Sequence, residues 1–96
     1  MPTNITQLES EDGTRTILRV KGSLTLIDAE LLERICRDLR EKSKAQLVID
    51  LTDLNFLDSD SASVLQRLKQ NGAELEGLHY FIQKEIDLVE RQAEDD

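Results

Sequence analysis

The stretch Leu47-Val48-Ile49-Asp50-Leu51-Thr52-Asp53-Leu54-Asn55-Phe56-Leu57-Asp58-Ser59-Asp60-Ser61-Ala62-Ser63 occupies the middle of the chain, and its first five residues decide the fold. Leu47, Val48, Ile49 and Leu51 make a short, nearly continuous apolar run, the pattern of a central strand covered on both faces. Before it the period is helical. Leu32, Ile35, Cys36 and Leu39 fall at i, i+3, i+4 and i+7 among charged residues, which predicts an amphipathic helix of about four turns starting at Asp28. Asp28 is read as its N-cap, Glu30 suits the positive end of the helix dipole, and Arg40, Lys42 and Lys44 suit the other end. Cys36 lies on the apolar stripe and reads as a small core residue. A helix between strands makes a βαβ unit, in which the strands are parallel and the crossover right-handed.

Working outward, Ile5–Glu9 alternates weakly, Glu11-Asp12-Gly13 is a turn signal, and Thr14–Lys21 places Thr16, Leu18 and Val20 on one face of a strand. These segments predict a hairpin that Gly22 stops. Downstream, Thr52–Ser59 reads as a loop, followed by a helix from about Asp60 to Gln70. Its inner face is assigned to Ala62, Leu65, Leu68 and the stem of Lys69, and Asn71-Gly72 is its C-terminal cap. Ala73–Glu76 has room for a brief strand with Leu75 buried. Gly77-Leu78-His79 then turns into a last helix, Tyr80–Gln92, whose stripe is Ile82, Ile86 and Val89, and the acidic tail at about 93–96 frays. The order is β-β-α-β-α-β-α. It predicts one α/β domain over residues 1–96, a four-stranded mixed sheet with three helices packed mainly on one face.

Composition narrows the function. The 96 residues include 12 Lys+Arg against 20 Asp+Glu, for a net charge of −8, and one Cys. A lone Cys excludes a disulfide-built scaffold, and no apolar run approaches the ~20 residues of a membrane span. No basic segment followed by an apolar one opens the sequence, so a cytoplasmic location is expected. The excess charge is concentrated: Asp50, Asp53, Asp58 and Asp60 have no base between them, and Lys84–Asp96 carries another −4. Nucleic acid and anionic lipid both demand clustered basic residues, so neither is an expected partner. A protein with a basic surface is.

The loop Asp58–Ser63 and the loop Gly22–Ile27 are expected at the carboxyl ends of the strands, where open α/β sheets meet their ligands. Two readings of Asp58-Ser59-Asp60-Ser61 stand side by side. Asp and Ser are preferred N-caps, so capping alone selects such a run before an apolar helix; the other reading is a binding site. Asp-x-Asp after an apolar strand also resembles the nucleophile loop of the haloacid-dehalogenase phosphatases, with Asp58 as nucleophile, Asp60 as acid/base and a bridging Mg²⁺. Such sites need a Lys and further carboxylates from later strands, and Lys69 and Lys84 both fall on helix bodies. The expectation is therefore no enzyme, no cofactor and no metal. His79 has no second ligand at metal-binding spacing and reads as a turn or capping residue. Leu24, Leu26 and Ile27 are candidates either for an exposed apolar patch or, for at least one of them, for the core.

The stretch Leu47–Ser59 resembles the signature of STAS domains, which include the anti-sigma-factor antagonists and the cytoplasmic modules of sulfate transporters. Gly22-Ser23-Leu24-Thr25, the following helix with Ala29 and Leu32, and Gly72-Ala73-Glu74-Leu75 resemble the family in order and spacing. The resemblance implies an interaction module that binds an ATP-binding kinase/anti-sigma partner in a partner-switching pathway that regulates transcription. It implies too that a Ser or Thr at the start of the second helix accepts phosphate, and that the added charge breaks the complex. Asp60 stands at the position assigned to that acceptor, with Ser59 and Ser61 as substitutes. The partner-binding residues implied are Asp58, Ser59, Asp60, Ser61, Ser63, Ser23, Leu24 and Thr25. An acceptor replaced by Asp60 suits equally a second class, the small STAS subunits that brace the ATPase of lipid-transport complexes.

Overall fold

The computed structural model describes residues 3–77. Its elements are β1 (Asn4–Glu9), β2 (Arg15–Leu24), α1 (Leu26–Lys42), β3 (Gln46–Asp50), β4 (Leu54–Leu57), α2 (Ser59–Gln70) and β5 (Glu74–Glu76). The helix expected at Tyr80–Gln92, its Gly77-Leu78-His79 turn and the acidic tail lie wholly or mostly outside the described residues.

The hairpin forms as the alternation requires. β1 pairs antiparallel with β2, and their turn is tied by the Gly13 N–H donating to the Ser10 carbonyl at 3.0 Å and by the Asp12 carboxylate, which accepts from Thr14 Oγ1 at 2.7 Å. β2 and β3 are parallel, as are β3 and β5, giving the order β1-β2-β3-β5. Both crossovers step the same way along the sheet, so with the usual right hand α1 and α2 land on one face. Thr16, Leu18 and Val20 of β2 and Leu47 and Ile49 of β3 point at them, each of these side chains 5% exposed or less. Ala29, Leu32 and Cys36 of α1 and Ala62, Val64, Leu65 and Leu68 of α2 close that core. Burial of Cys36 pushes its thiol up to about 11, an inert core position. Ile35, Leu39 and Leu75 pack on the core but remain partly exposed. Glu33 and Arg67 add a bidentate pair across the two helices, at 2.6 and 2.9 Å. With Arg67 half exposed, such a pair contributes under about 1 kcal/mol against ~1.5–3 for each fully buried leucine beneath it.

Four expectations need correction. Thr52–Ser59 is not all loop: Leu54–Leu57 forms β4, so the mixed sheet has five strands, not four. Gly22 does not stop β2. With φ +87 it takes a conformation that costs other L-residues ~1–2 kcal/mol, the register shifts between Gly22 and Ser23, and the strand resumes to pair with β4. The N-cap of α1 is Thr25, three residues before the expected Asp28, and Asp28 sits in the first turn accepting from Thr25 Oγ1 at 3.2 Å. Lys69, finally, is exposed. The end of α2 follows expectation: Ala73 N–H returns to the Leu68 carbonyl and Gly72 N–H to that of Lys69, at 3.0 and 3.1 Å, the paired bonds of a Schellman cap.

Candidate functional site

Parallel strands put the starts of α1 and α2 at the same end of the sheet, and Asp58 joins them. As N-cap of α2, its Oδ1 accepts from the Ser61 N–H at 2.8 Å. Ser61 chiefly holds the Asp58 carboxyl below its ordinary range, with its N–H donating to the carboxylate, against an opposing effect of burial. The Ser61 hydroxyl is buried and donates to the Leu24 carbonyl oxygen at 3.0 Å, an oxygen that also accepts from the Asp58 N–H at 3.4 Å. Leu24 is itself fully buried.

Burial therefore divides the candidate residues. Ser59 and Asp60, the first two residues of α2, are exposed, as is Thr25 across from them. Ser23 and Ser63 are half-buried, and Ser63 Oγ donates to the Ser59 carbonyl at 3.2 Å. Leu24 and Ser61 belong to the interior: neither contributes to an accessible surface, and a kinase cannot reach the Ser61 hydroxyl without opening the junction. Of the Leu24, Leu26 and Ile27 trio, Leu24 is core, while Leu26 and Ile27 are 37% and 81% exposed. A hydroxyl–carboxylate cluster not expected from the sequence lies beside them. Thr3 Oγ1 contacts the Ser23 carbonyl and Asp28 Oδ2, which tethers the start of β1 to the start of α1. Asp50, at the end of β3, pairs across to Arg19 at 3.3 Å and accepts from Thr52, whose hydroxyl and N–H chiefly hold its carboxyl low.

Residues 6–87 match the profile of the family described as the STAS domain. The chain belongs to the STAS family. None of the curated proteins matches it significantly. Among solved structures, this STAS domain is similar to the antisigma-factor antagonist STAS domain from Rhodobacter sphaeroides, at 28% identity over 76% of this chain and 82% of that one, with a TM-score of 0.57. It shares its fold with SpoIIAA, an anti-sigma-factor antagonist in its unphosphorylated form, at 14% identity, 91% and 98% coverage and a TM-score of 0.56. An uncharacterized protein with a SpoIIAA-like fold from Shewanella loihica shares it too, at 19% identity, 82% and 69% coverage and a TM-score of 0.60. The domain thus resembles anti-sigma-factor antagonists over most of its length. Among the described residues no helix is long and apolar enough to cross a membrane.

Sequence reasoning located the junction but missed two of its properties. The double use of the Leu24 carbonyl, which accepts from the Ser61 hydroxyl and the Asp58 N–H, depends on bringing Ser61 to a residue 37 positions away, which no local pattern encodes. The exposure of Leu31, outside the expected Leu24, Leu26 and Ile27 patch, had a signal: it lies ~100° around the helix from the stripe centred on Leu32, Cys36 and Leu39.

Proposed function

We propose that this STAS domain is a non-enzymatic interaction module of the anti-sigma-antagonist type, cytoplasmic, binding an ATP-binding kinase/anti-sigma partner through the surface of Asp58, Ser59, Asp60 and Thr25. The observation that carries the reading is the exposed Ser59–Asp60 pair, presented on a helix start that Asp58 fixes from below. Asp58 is committed to capping α2 through the Ser61 N–H, a structural duty that supports binding over nucleophilic catalysis. The similarity to an antisigma-factor antagonist at 28% identity supports the class of partner.

Charge is the control. Asp60 supplies about −1 permanently, where a phosphoserine supplies ~−1.5 to −2 with three acceptor oxygens. Either charge is favourable at a helix start by ~0.3–1 kcal/mol, so the site tolerates it without strain. Within Asp58–Ser63 the hydroxyl open to a kinase is that of Ser59; phosphate there adds to the fixed charge of Asp60.

The test is capture of the ATP-binding partner with the wild-type chain, Asp60→Ser and Ser59→Glu, followed by affinity measurement and phosphate mapping with the purified partner and ATP. A kinase-like partner whose affinity rises on Asp60→Ser and falls about tenfold or more on Ser59→Glu supports the reading. A partner indifferent to both substitutions removes charge control. A transporter ATPase as partner replaces the reading with the bracing subunit of a lipid-transport complex, and Mg²⁺-dependent hydrolysis of an aryl phosphate would overturn the non-enzymatic assignment.

A further inference from the structure

The first turns of α1 carry three large apolar side chains that the core does not use. Leu26, Ile27 and Leu31 are 37%, 81% and 45% exposed. Ile27 and Leu31 stand at i and i+4, one above the other on the helix surface, and Leu26 is the first residue of the helix. Scattered single leucines on a surface need no explanation, but adjacent ones on one helical turn beside a binding loop do.

What surrounds this ridge says what covers it. Residues 22–32 and 51–66 contain no Lys or Arg, and they supply Asp28, Glu30, Asp53, Asp58 and Asp60. Glu30 lies between Ile27 and Leu31 in the helix, and Asp58 and Asp60 open the neighbouring helix. Asp28, Glu30, Asp58 and Asp60 thus lie at the two helix starts that flank the ridge, and Arg34, exposed about one turn beyond Leu31, is the nearest base along α1. A second copy of the chain seated here would set that charge against itself, and an anionic membrane would be repelled in the same way. A surface that presents an apolar groove edged with Lys and Arg satisfies both features at once.

We propose that the ridge Leu26–Ile27–Leu31 is the apolar anchor of the docking surface, and that it inserts into an apolar, basic-rimmed groove of the protein partner. This rests on the reading of the Asp58–Asp60 end as a protein-binding surface. It deepens that reading: Asp58–Asp60 set the charge control, while the ridge supplies area that the charge state leaves unchanged. A few residues in the well-packed, desolvated centre of an interface carry most of its affinity, and truncating one of them costs about tenfold or more.

The experiment uses the full chain, labelled for amide NMR, titrated with a designed amphipathic Leu/Lys helical peptide and with a peptide of the same composition in scrambled order. The expected result is salt-sensitive binding of the amphipathic peptide with shifts at Leu26, Ile27, Leu31 and the first turn of α2. Ile27→Ser and Leu31→Ser, both at exposed positions, should each weaken that binding about tenfold or more with the spectrum otherwise retained. Equal binding of the scrambled peptide, shifts that map elsewhere, or indifference to both substitutions overturns the anchor. Concentration-dependent shifts at Ile27 and Leu31 without peptide would overturn it in favour of self-association. The purified partner separates the two proposals. Affinity lost on Ser59→Glu but not on Ile27→Ser keeps the charge control and removes the anchor, and the reverse pattern keeps the anchor and removes the charge control.

Discussion

At the scale of single residues, Asp58 bears more of the site than any exposed group does, because its carboxylate accepts from the Ser61 N–H at the start of α2 while its own N–H donates to the Leu24 carbonyl just before α1. Unsatisfied N–H groups at a helix start cost stability. Asp58→Ala is therefore expected to destabilise the domain by about 1–2 kcal/mol, the upper part of the N-cap range. Asp58→Asn keeps an acceptor oxygen of the same reach and should cost under about 0.5 kcal/mol. Urea unfolding of the three proteins decides between capping and a purely electrostatic role: if Asn is as damaging as Ala, the negative charge and not the acceptor geometry is what the junction needs. Ser61 illustrates the opposite case, a residue that looks available in sequence and is not. Its hydroxyl is spent on the Leu24 carbonyl, 37 positions away in the chain.

At the scale of elements, the extension of β2 beyond Gly22 brings the two binding loops together. Gly22 has φ +87, and its N–H donates to the Asp53 carbonyl at 3.2 Å, after which Ser23 and Leu24 pair with Phe56 and Leu57 of β4. An alanine there would have to adopt a left-handed conformation at a cost of about 1–2 kcal/mol. Gly22→Ala should lower stability by that amount and, more tellingly, speed amide hydrogen exchange across Leu54–Leu57 while β1 and β3 keep their protection. Uniform loss of protection would instead mean that β4 has no independence from the rest of the sheet. The same bulge explains why β4 was not legible in the sequence. Leu54 and Leu57 are its buried residues, three apart and out of phase with a period of two, and their partner edge exists only because β2 continues through a glycine that locally reads as a stop. The long periodic segments were legible for the converse reason. The stripe of α1, the apolar run of β3 and the alternation of β2 each carry their own period, so local pattern and tertiary burial agree. The location of the site followed from connectivity, since parallel strands place Thr25 and Asp58–Asp60 at one end. Which of its hydroxyls are open depends on contacts between distant segments.

At the scale of the whole molecule, the carboxylates give two opposing trends with pH. The net charge of −8 repels itself at neutral pH, and protonation on mild acidification relieves that repulsion. Against it stand, among the described residues, four carboxyls held below their ordinary range by native hydrogen bonds. Asp12 is lowered to about 2 by Thr14 and Ser10, Glu33 is lowered by Arg67, Asp50 by Thr52, and Asp58 by Ser61. Each has a folded pKa below its unfolded one, so between the two values the unfolded chain binds more protons. Their contribution is complete above the unfolded pKa near 4 and is lost as pH falls through the folded values, down to about 2 for Asp12. Thermal unfolding at fixed ionic strength should accordingly give a Tm that is level or slightly rising from pH 7 to about 5 and falling steeply below about 4. Added salt at pH 7 should raise the Tm by screening the repulsion, and should do little at pH 4, where most of that charge is gone. A Tm that keeps rising through pH 3 would show that self-repulsion outweighs all four hydrogen-bonded carboxylates. In that case the acidic end of the domain is held under strain that a basic partner relieves on docking, and stability should rise on binding by more than mass action alone provides.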